Sequence, residues 1–319
     1  MSRLLKILRF IFEYAVDCIN TLRFNNYSPF EEKNHRIFYH ILIETHTIEK
    51  GLSLPNPRSL FGKSKINSLI KLTNNYDLSF STFPIQMLVG ALRDYLRLHE
   101  MRNIVDAPVL DQIREFLNAH PEFNDLDALG GAKDVTSVYP LSEPKDSIKF
   151  LQSRYSCRNF NPAPLDPTTV REIVSIAQSA PSQCNRQTAR VHYYSDPQII
   201  NRLLELQGGS GGFRQNVGNL FVVSSEMTGW GGPGQRNQAY VDGALFSMLL
   251  MLTCHAHSIA TCPLNLAKMN ATEKQIKTYG DIPQRERLIM MIGIGKPVDD
   301  TVLAAQSPRL PVEDVLSLH

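Results

Sequence analysis

The chain has 319 residues, 43% apolar and 20% charged, and its net charge of +2 gives no electrostatic footing for binding nucleic acid. That length leaves room for two cores. The five cysteines, Cys18, Cys157, Cys184, Cys254 and Cys262, are odd in number and include no Cys-x-x-Cys pair, which argues against a disulfide framework or a zinc site and suits a reducing, cytoplasmic setting.

Residues 3–24 place Leu4, Leu8, Ile11, Ala15, Cys18 and Leu22 on one helical face, and Arg3, Lys6 and Arg9 give the first half a basic side. Such a helix packs on its own protein or on a partner subunit, or it lies in a membrane interface; residues 1–24 are where peripheral membrane contact is to be sought. Glu13 and Asp17 interrupt the apolar stretch and no cleavage site follows, so it does not read as a signal peptide. No run of about 18 apolar residues marks a spanning helix. A second helical pattern runs from Pro29 to Gly51, where Lys50 in the last turn and Gly51 behind it predict a stop. His40, His46 and Glu49 match no familiar zinc spacing, so no metal is expected there. Helices follow at about 64–73, 84–101 and 108–119, and the Gly130-Gly131 and Pro140 to Pro144 stretch reads as a linker. Residues 1–140 thus form an all-helical region with no catalytic motif.

A helix around 146–152 leads into Ser153–Phe160, Ser-Arg-Tyr-Ser-Cys-Arg-Asn-Phe. On extended backbone, side chains repeat their direction every two residues, so Arg154, Ser156 and Arg158 converge. Two guanidiniums and a hydroxyl suit an anion with flat polar edges, because arginine's planar fork holds phosphate or ring carbonyls through paired hydrogen bonds. A turn carrying two solvated arginines is the plainer reading. Asp166 and Pro167 open a helix. A polar loop follows at residues 180–187, Ala-Pro-Ser-Gln-Cys-Asn-Arg-Gln, before a strand at 190–195.

After a helix from Pro197 to Leu206, the Gly208–Gly212 run predicts a mobile loop; it fits neither a dinucleotide fingerprint nor a phosphate-binding P-loop. A strand at Asn219–Ser224 precedes a second glycine-rich loop, Gly229–Gly234, with the single tryptophan; it reads equally as a lid or as a structural or disordered connection. Residues 238–257 form the most apolar helix, expected to be buried over most of its surface. A short strand, Ile259–Pro263, leads into Leu264-Asn265-Leu266, and Leu288–Gly295 is the last buried strand.

The Arg154-x-Ser156-x-Arg158 turn, the Pro181-Ser182-Gln183-Cys184-Asn185-Arg186-Gln187 loop and the Ser307-Pro308-Arg309-Leu310-Pro311 segment, in this order, resemble the nitroreductase family of FMN-dependent flavoproteins. The resemblance spans roughly residues 145–319. It implies an α+β fold with a central mixed β-sheet flanked by helices, here behind a helical extension, so the domains are 1–140 and 145–319. It also implies a homodimer built on the 238–257 helix, with FMN at the interface. Arg154 and Arg309 would bind the phosphate with Ser156 beside them, and Arg158 would sit at the flavin N1/O2 edge. Ser182, Gln183, Cys184, Asn185 and Gln187 would line the ring, and a backbone N–H within Leu264, Asn265 and Leu266 would meet N5. Many members carry an acidic residue and glycine where this chain has Asn265 and Leu266, and Thr188-Ala189 replaces the usual Pro-Trp.

On this reading no side chain is a catalytic acid or base, because the chemistry belongs to the flavin. NAD(P)H would donate by a ping-pong route, and a nitro compound, quinone or unsaturated metabolite would accept. Cys157 and Cys184 lack a nearby base and are not read as nucleophiles. A specialised relative (dehalogenase, azoline oxidase or an accessory enzyme of surface-polysaccharide synthesis) and a non-catalytic FMN-binding scaffold are the alternatives.

Overall fold

The computed structural model describes residues 3–26, 28–54, 57–123, 129–132, 144–298, 304 and 311–319. They fall into two compact units. The first comprises residues 1–143 together with Pro181–Ala189 and Glu226–Asp242; the second comprises Pro144–Ala180, Arg190–Ser225 and Gly243–His319.

The helical periodicity of the amino-terminal region becomes α1 (Arg3–Phe24), α2 (Lys33–Leu52), α3 (Lys63–Thr73), α4 (Phe83–Glu100) and α5 (Pro108–Asn118). Their core gathers Ile41 and Ile48 of α2, Ile66 of α3, Leu88 and Leu92 of α4 and Ile113 of α5, all within 1% of full burial. Each such side chain contributes about 1.5–3 kcal/mol relative to an exposed one. Buried His99 is satisfied at both ring nitrogens: Nδ1 lies 2.7 Å from the Tyr95 carbonyl and Nε2 accepts from the Leu60 N–H at 2.8 Å.

Two expectations about glycine change here. Gly51 does not stop α2, which runs on to Leu52; it sits inside the helix because the Phe61 ring lies where a side chain would be. Gly130 and Gly131 are not slack linker. They adopt φ of +89° and +100°, and the Gly131 N–H donates to Glu49 of α2 at 3.2 Å. Pro140–Glu143 lie outside the described residues.

The second unit contains α6 (Pro144–Gln152), α7 (Pro167–Ala177), α8 (Pro197–Gln207) and α10 (Asn270–Tyr279), with α9 (Gln238–Ala256) entering it from Gly243 onward. Strands β1 (Ala189–Tyr194), β2 (Asn219–Glu226), β3 (Ala260–Asn265) and β4 (Glu286–Gly295) form one sheet in the order β1-β2-β4-β3. β3 and β4 are antiparallel, from Ala260 opposite Gly295 to Asn265 opposite Met290. Outside the four strands, Ser156 makes an isolated parallel bridge to Thr261 of β3. This is the α+β arrangement expected.

Helix starts follow the capping residues. Asp166 accepts from the Thr169 N–H at 3.2 Å, and Asp196 from Gln198 at 2.7 Å and Ile199 at 3.3 Å. The Gly208–Gly212 run is better tied than its composition suggests. Gly208 closes α8 at φ +75°, Gln207 Oε1 accepts from the Gly209 N–H at 2.7 Å, and Ser210 is buried. α9 is long and apolar enough, by composition alone, to cross a bilayer, but half of its apolar stretch is buried within the fold.

Candidate functional site

In the second unit, the backbone from Arg154 to Arg158 runs extended beside β3, and the Cys157 N–H donates to the Thr261 carbonyl at 2.9 Å. Cys157 is buried, Arg154 and Ser156 are half-buried, and Tyr155 and Arg158 are both exposed, so burial does not follow a strict two-residue alternation here. Arg154 Nη1 is inaccessible to solvent and has no hydrogen-bond partner among the described residues, and neither does the buried hydroxyl of Thr261. An orphaned guanidinium N–H is costly unless an acceptor completes it. Burial pushes the Cys262 thiol on β3 upward against the pull of the Arg158 and Arg154 charges, which places both cations within electrostatic reach of that strand. These features fit an anionic ligand with acceptor oxygens.

Leu264, Asn265 and Leu266 follow on the same strand. β3 extends past Pro263, so Leu264 and Asn265 pair with β4 and Leu266 is the first residue beyond it. The Leu264 side chain is buried in the core, and the Asn265 carbonyl accepts from Gln207 at 3.0 Å. Any ligand contact from Leu264 is therefore through its backbone. Arg309 and residues 305–310 lie outside the described residues. Cys157 Sγ donates to the Asn159 carbonyl at 3.1 Å, a structural role. At the end of α9, His255 stacks on Phe150 with ring centres 5.2 Å apart and meets Ser153 Oγ at 2.7 Å.

The second group of predicted residues, Ser182–Gln187, belongs to the first unit. Its backbone is strained: Cys184, Asn185 and Gln187 have φ of +51°, +51° and +53°. Three left-handed non-glycine residues within four positions cost about 1–3 kcal/mol each and persist only where surrounding structure enforces them, as at ligand-binding sites. The enforcing contacts are explicit. Ser182 Oγ accepts from the Gln187 N–H at 2.9 Å, Asp242 Oδ2 accepts from the Gln183 N–H at 2.8 Å, and Arg186 Nη1 donates to the Gln183 carbonyl at 3.1 Å. Asp242 is 4% exposed and is also fixed by Gln238 at 2.7 Å. Asp242 and Arg186 were not among the predicted site residues. Asp242 looked like one polar position in an apolar helix, and nothing in a linear pattern joins it to Gln183, 59 residues away.

The tryptophan loop is ordered rather than loose where it begins. Met227–Trp230 are buried, and the Trp230 carbonyl accepts from the Asn26 N–H at 2.9 Å. The Asn26 side-chain amide donates to the Thr228 carbonyl at 3.1 Å, and the Arg186 guanidinium lies 5.4 Å from the Trp230 ring centre. Gly229 packs so tightly that an added Cβ would collide with Thr188.

Residues 151–211 match the nitroreductase family model, a stretch holding both the arginine turn and the strained loop. Over this stretch the chain is similar to the nitroreductase family. It is 26% identical over 216 residues to the Bacillus subtilis (strain 168) protein YdgI, provisionally named an NAD(P)H nitroreductase, covering 55% of this chain and 98% of that one. The crystal structure of a nitroreductase-like protein from Streptococcus mutans has the same fold, with a TM-score of 0.50 at 19% identity, over 55% of this chain and 99% of that one. An FMN-dependent nitroreductase from Clostridium difficile R20291 aligns with a TM-score of 0.46 at 18% identity, over 54% and 99%. The likeness to the Bacillus subtilis relative therefore covers somewhat more than half of the chain.

Proposed function

We propose that the protein is a cytoplasmic FMN-dependent oxidoreductase that takes electrons from NAD(P)H and passes them to a small acceptor, a nitro compound, quinone or unsaturated metabolite. The observation that carries this reading is the family's arginine turn with a buried, unpartnered Arg154 N–H, together with the strained Ser182–Gln187 loop. The name of the Bacillus subtilis relative supports NAD(P)H as donor. Bound FMN supplies the redox chemistry. The chain's residues bind and orient it: Arg154, Ser156 and Arg309 for the phosphate, and Arg158 as a fixed positive charge at the ring edge. Cys184, Asn185 and Gln187, with Ser182 and Gln183, would line the ring, and a backbone N–H within Leu264–Leu266 would hydrogen-bond to it. A fixed cation aimed at developing negative charge favours the reduced form without later reorganisation.

The working form is a homodimer. In the single chain, Tyr240, Val241, Leu245 and Met248 line one stripe of α9 and are 44–49% exposed. An apolar stripe on the longest helix of a family domain is a surface that a second copy would cover.

The test is an anaerobic titration of the purified chain, loaded with FMN, by NADH and then NADPH while the visible spectrum is followed. Bleaching of bound flavin by either nucleotide supports the reading and names the donor. A chain that retains no flavin, or flavin that neither nucleotide bleaches, rejects it. In the same assay Arg158→Ala should impair bleaching or flavin retention.

A further inference from the structure

We infer that the helical extension carries a ligand site of its own, a cationic groove along α2 for a small organic molecule bearing a phosphate or carboxylate group. Two adjoining cavities share Asn26 and His40. One, of about 370 Å³, is lined by Lys33, Arg36, Ile37, Leu72 and Asn75. The other, of about 220 Å³, is lined by Ile43, Glu44, Arg186, Gln235 and the backbone at Gly229 and Gly231. Positions 33, 36, 37, 40, 43 and 44 recur at helical spacing and so form one stripe of α2. Together the cavities reach the size of a metabolite site, which starts at about 300 Å³.

The charges in this groove do not cancel. Glu44 is engaged by Lys65 at 2.9 Å, and Glu31 and Glu32 face His35 at 3.4 and 3.3 Å. Among the described residues no carboxylate pairs with Lys33, Arg36 or Arg186; Lys33 reaches only the Asn75 amide oxygen, at 3.5 Å. Arg36 Nε and Arg186 Nε are cut off from solvent and have no acceptor, and Arg186 is only 6% exposed. Arginines of a merely solvated face would extend into water, whereas these two line a cavity with N–H groups unmet. Guanidinium N–H groups cut off from water without an acceptor are costly, and an oxyanion is the partner that offsets the cost, with the amides of Asn26 and Gln235 available to a polar body.

This site is independent of the flavin reading, and its test separates the two. The full chain, loaded with FMN and freed of excess flavin, is titrated calorimetrically with glycerol phosphate, with succinate and with uncharged glycerol. Saturable binding of glycerol phosphate or of succinate, with none of glycerol, is expected; whichever anion binds names the head group. The affinity should fall with added salt, and should fall about tenfold in the Lys33→Gln/Arg36→Gln double variant and in Arg186→Gln, as loss of charge-assisted hydrogen bonds predicts. Flavin content and melting temperature of the double variant should stay at wild-type values. If neither anion binds saturably, or if both variants bind as the wild type does, the proposal fails even where flavin is bound and reduced.

Discussion

At the scale of single residues, Asp242 decides how the Ser182–Gln187 loop is held. Its two oxygens accept from the Gln183 N–H at 2.8 Å and from Gln238 at 2.7 Å, and it is almost wholly buried. Asp242→Ala would leave the Gln183 amide without a partner beside a backbone that already carries left-handed strain. Losing a buried charged acceptor costs about 1–3 kcal/mol. Chemical denaturation should show a loss of that order, and fluorescence titration should show FMN affinity weakened about tenfold, because the loop relaxes from its strained form. Gln238→Ala keeps the Gln183 contact and should cost less on both measures. The motif Ser182–Gln187 could be read from the sequence because its residues are adjacent. The anchor could not, since only folding brings residue 242 to residue 183.

At the scale of elements, the sheet buries a polar cluster that serves stability. Glu286 on β4 accepts from Ser224 on β2 and lies 2.7 Å from His192 Nε2 on β1, so one carboxylate ties three strands. Burial pushes this carboxyl up, but the hydrogen bonds from His192 and Ser224 and the charges of His192 and Arg190 outweigh it and leave it below the ordinary 4.5. With the folded value depressed, the unfolded chain binds the proton more readily. The stabilisation is therefore complete above about pH 4.5 and is lost as the pH falls through the folded value. Melting temperatures followed from pH 6 down to pH 3 should drop more steeply for the wild type than for Glu286→Gln, while near pH 7 the variant is less stable by roughly 1–3 kcal/mol. A variant with an unchanged acid limb would remove Glu286 from this role.

The exposed stripe of α9 carries the other element-scale prediction. Replacing both Leu245 and Met248 by glutamate places charges on a face that must be dry in a dimer. Light scattering should show the variant as a monomer where the wild type is a dimer; a wild type that is already monomeric would sink the assignment. Secondary structure was legible because apolar periodicity and caps such as Asp166 and Asp196 act locally. What escaped is instructive: α10 (Asn270–Tyr279) is mostly polar and shows little apolar stripe, and Gly51 and Gly208–Gly212 were read from composition, although packing against Phe61 and bonds from Gln207 decide them.

At the scale of the whole molecule, order along the chain and grouping in space part company. Residues 1–140 and 145–319 separate naturally in a linear reading. Folding gathers Pro181–Ala189 and Glu226–Asp242 with the helical extension, through contacts such as Asn26 to Thr228 across 202 positions. The extension thus holds the start of the tryptophan loop through Asn26. This region also presents an apolar face that its own unit does not cover: Leu4, Leu8, Ile11, Phe12 and Leu22 of α1 are 53–65% exposed. Peripheral membrane contact through this helix is the reading to test, because an amphipathic helix buries its apolar side at the headgroup boundary. Removing residues 1–20 leaves Phe24 in place against Met227 and Trp230 and so spares the loop. The truncated chain should lose sedimentation with anionic liposomes while flavin content and bleaching by nucleotide stay the same. Equal sedimentation of the two forms would assign the face to protein contacts, and reduced flavin content in the truncated form would show that α1 serves the loop after all.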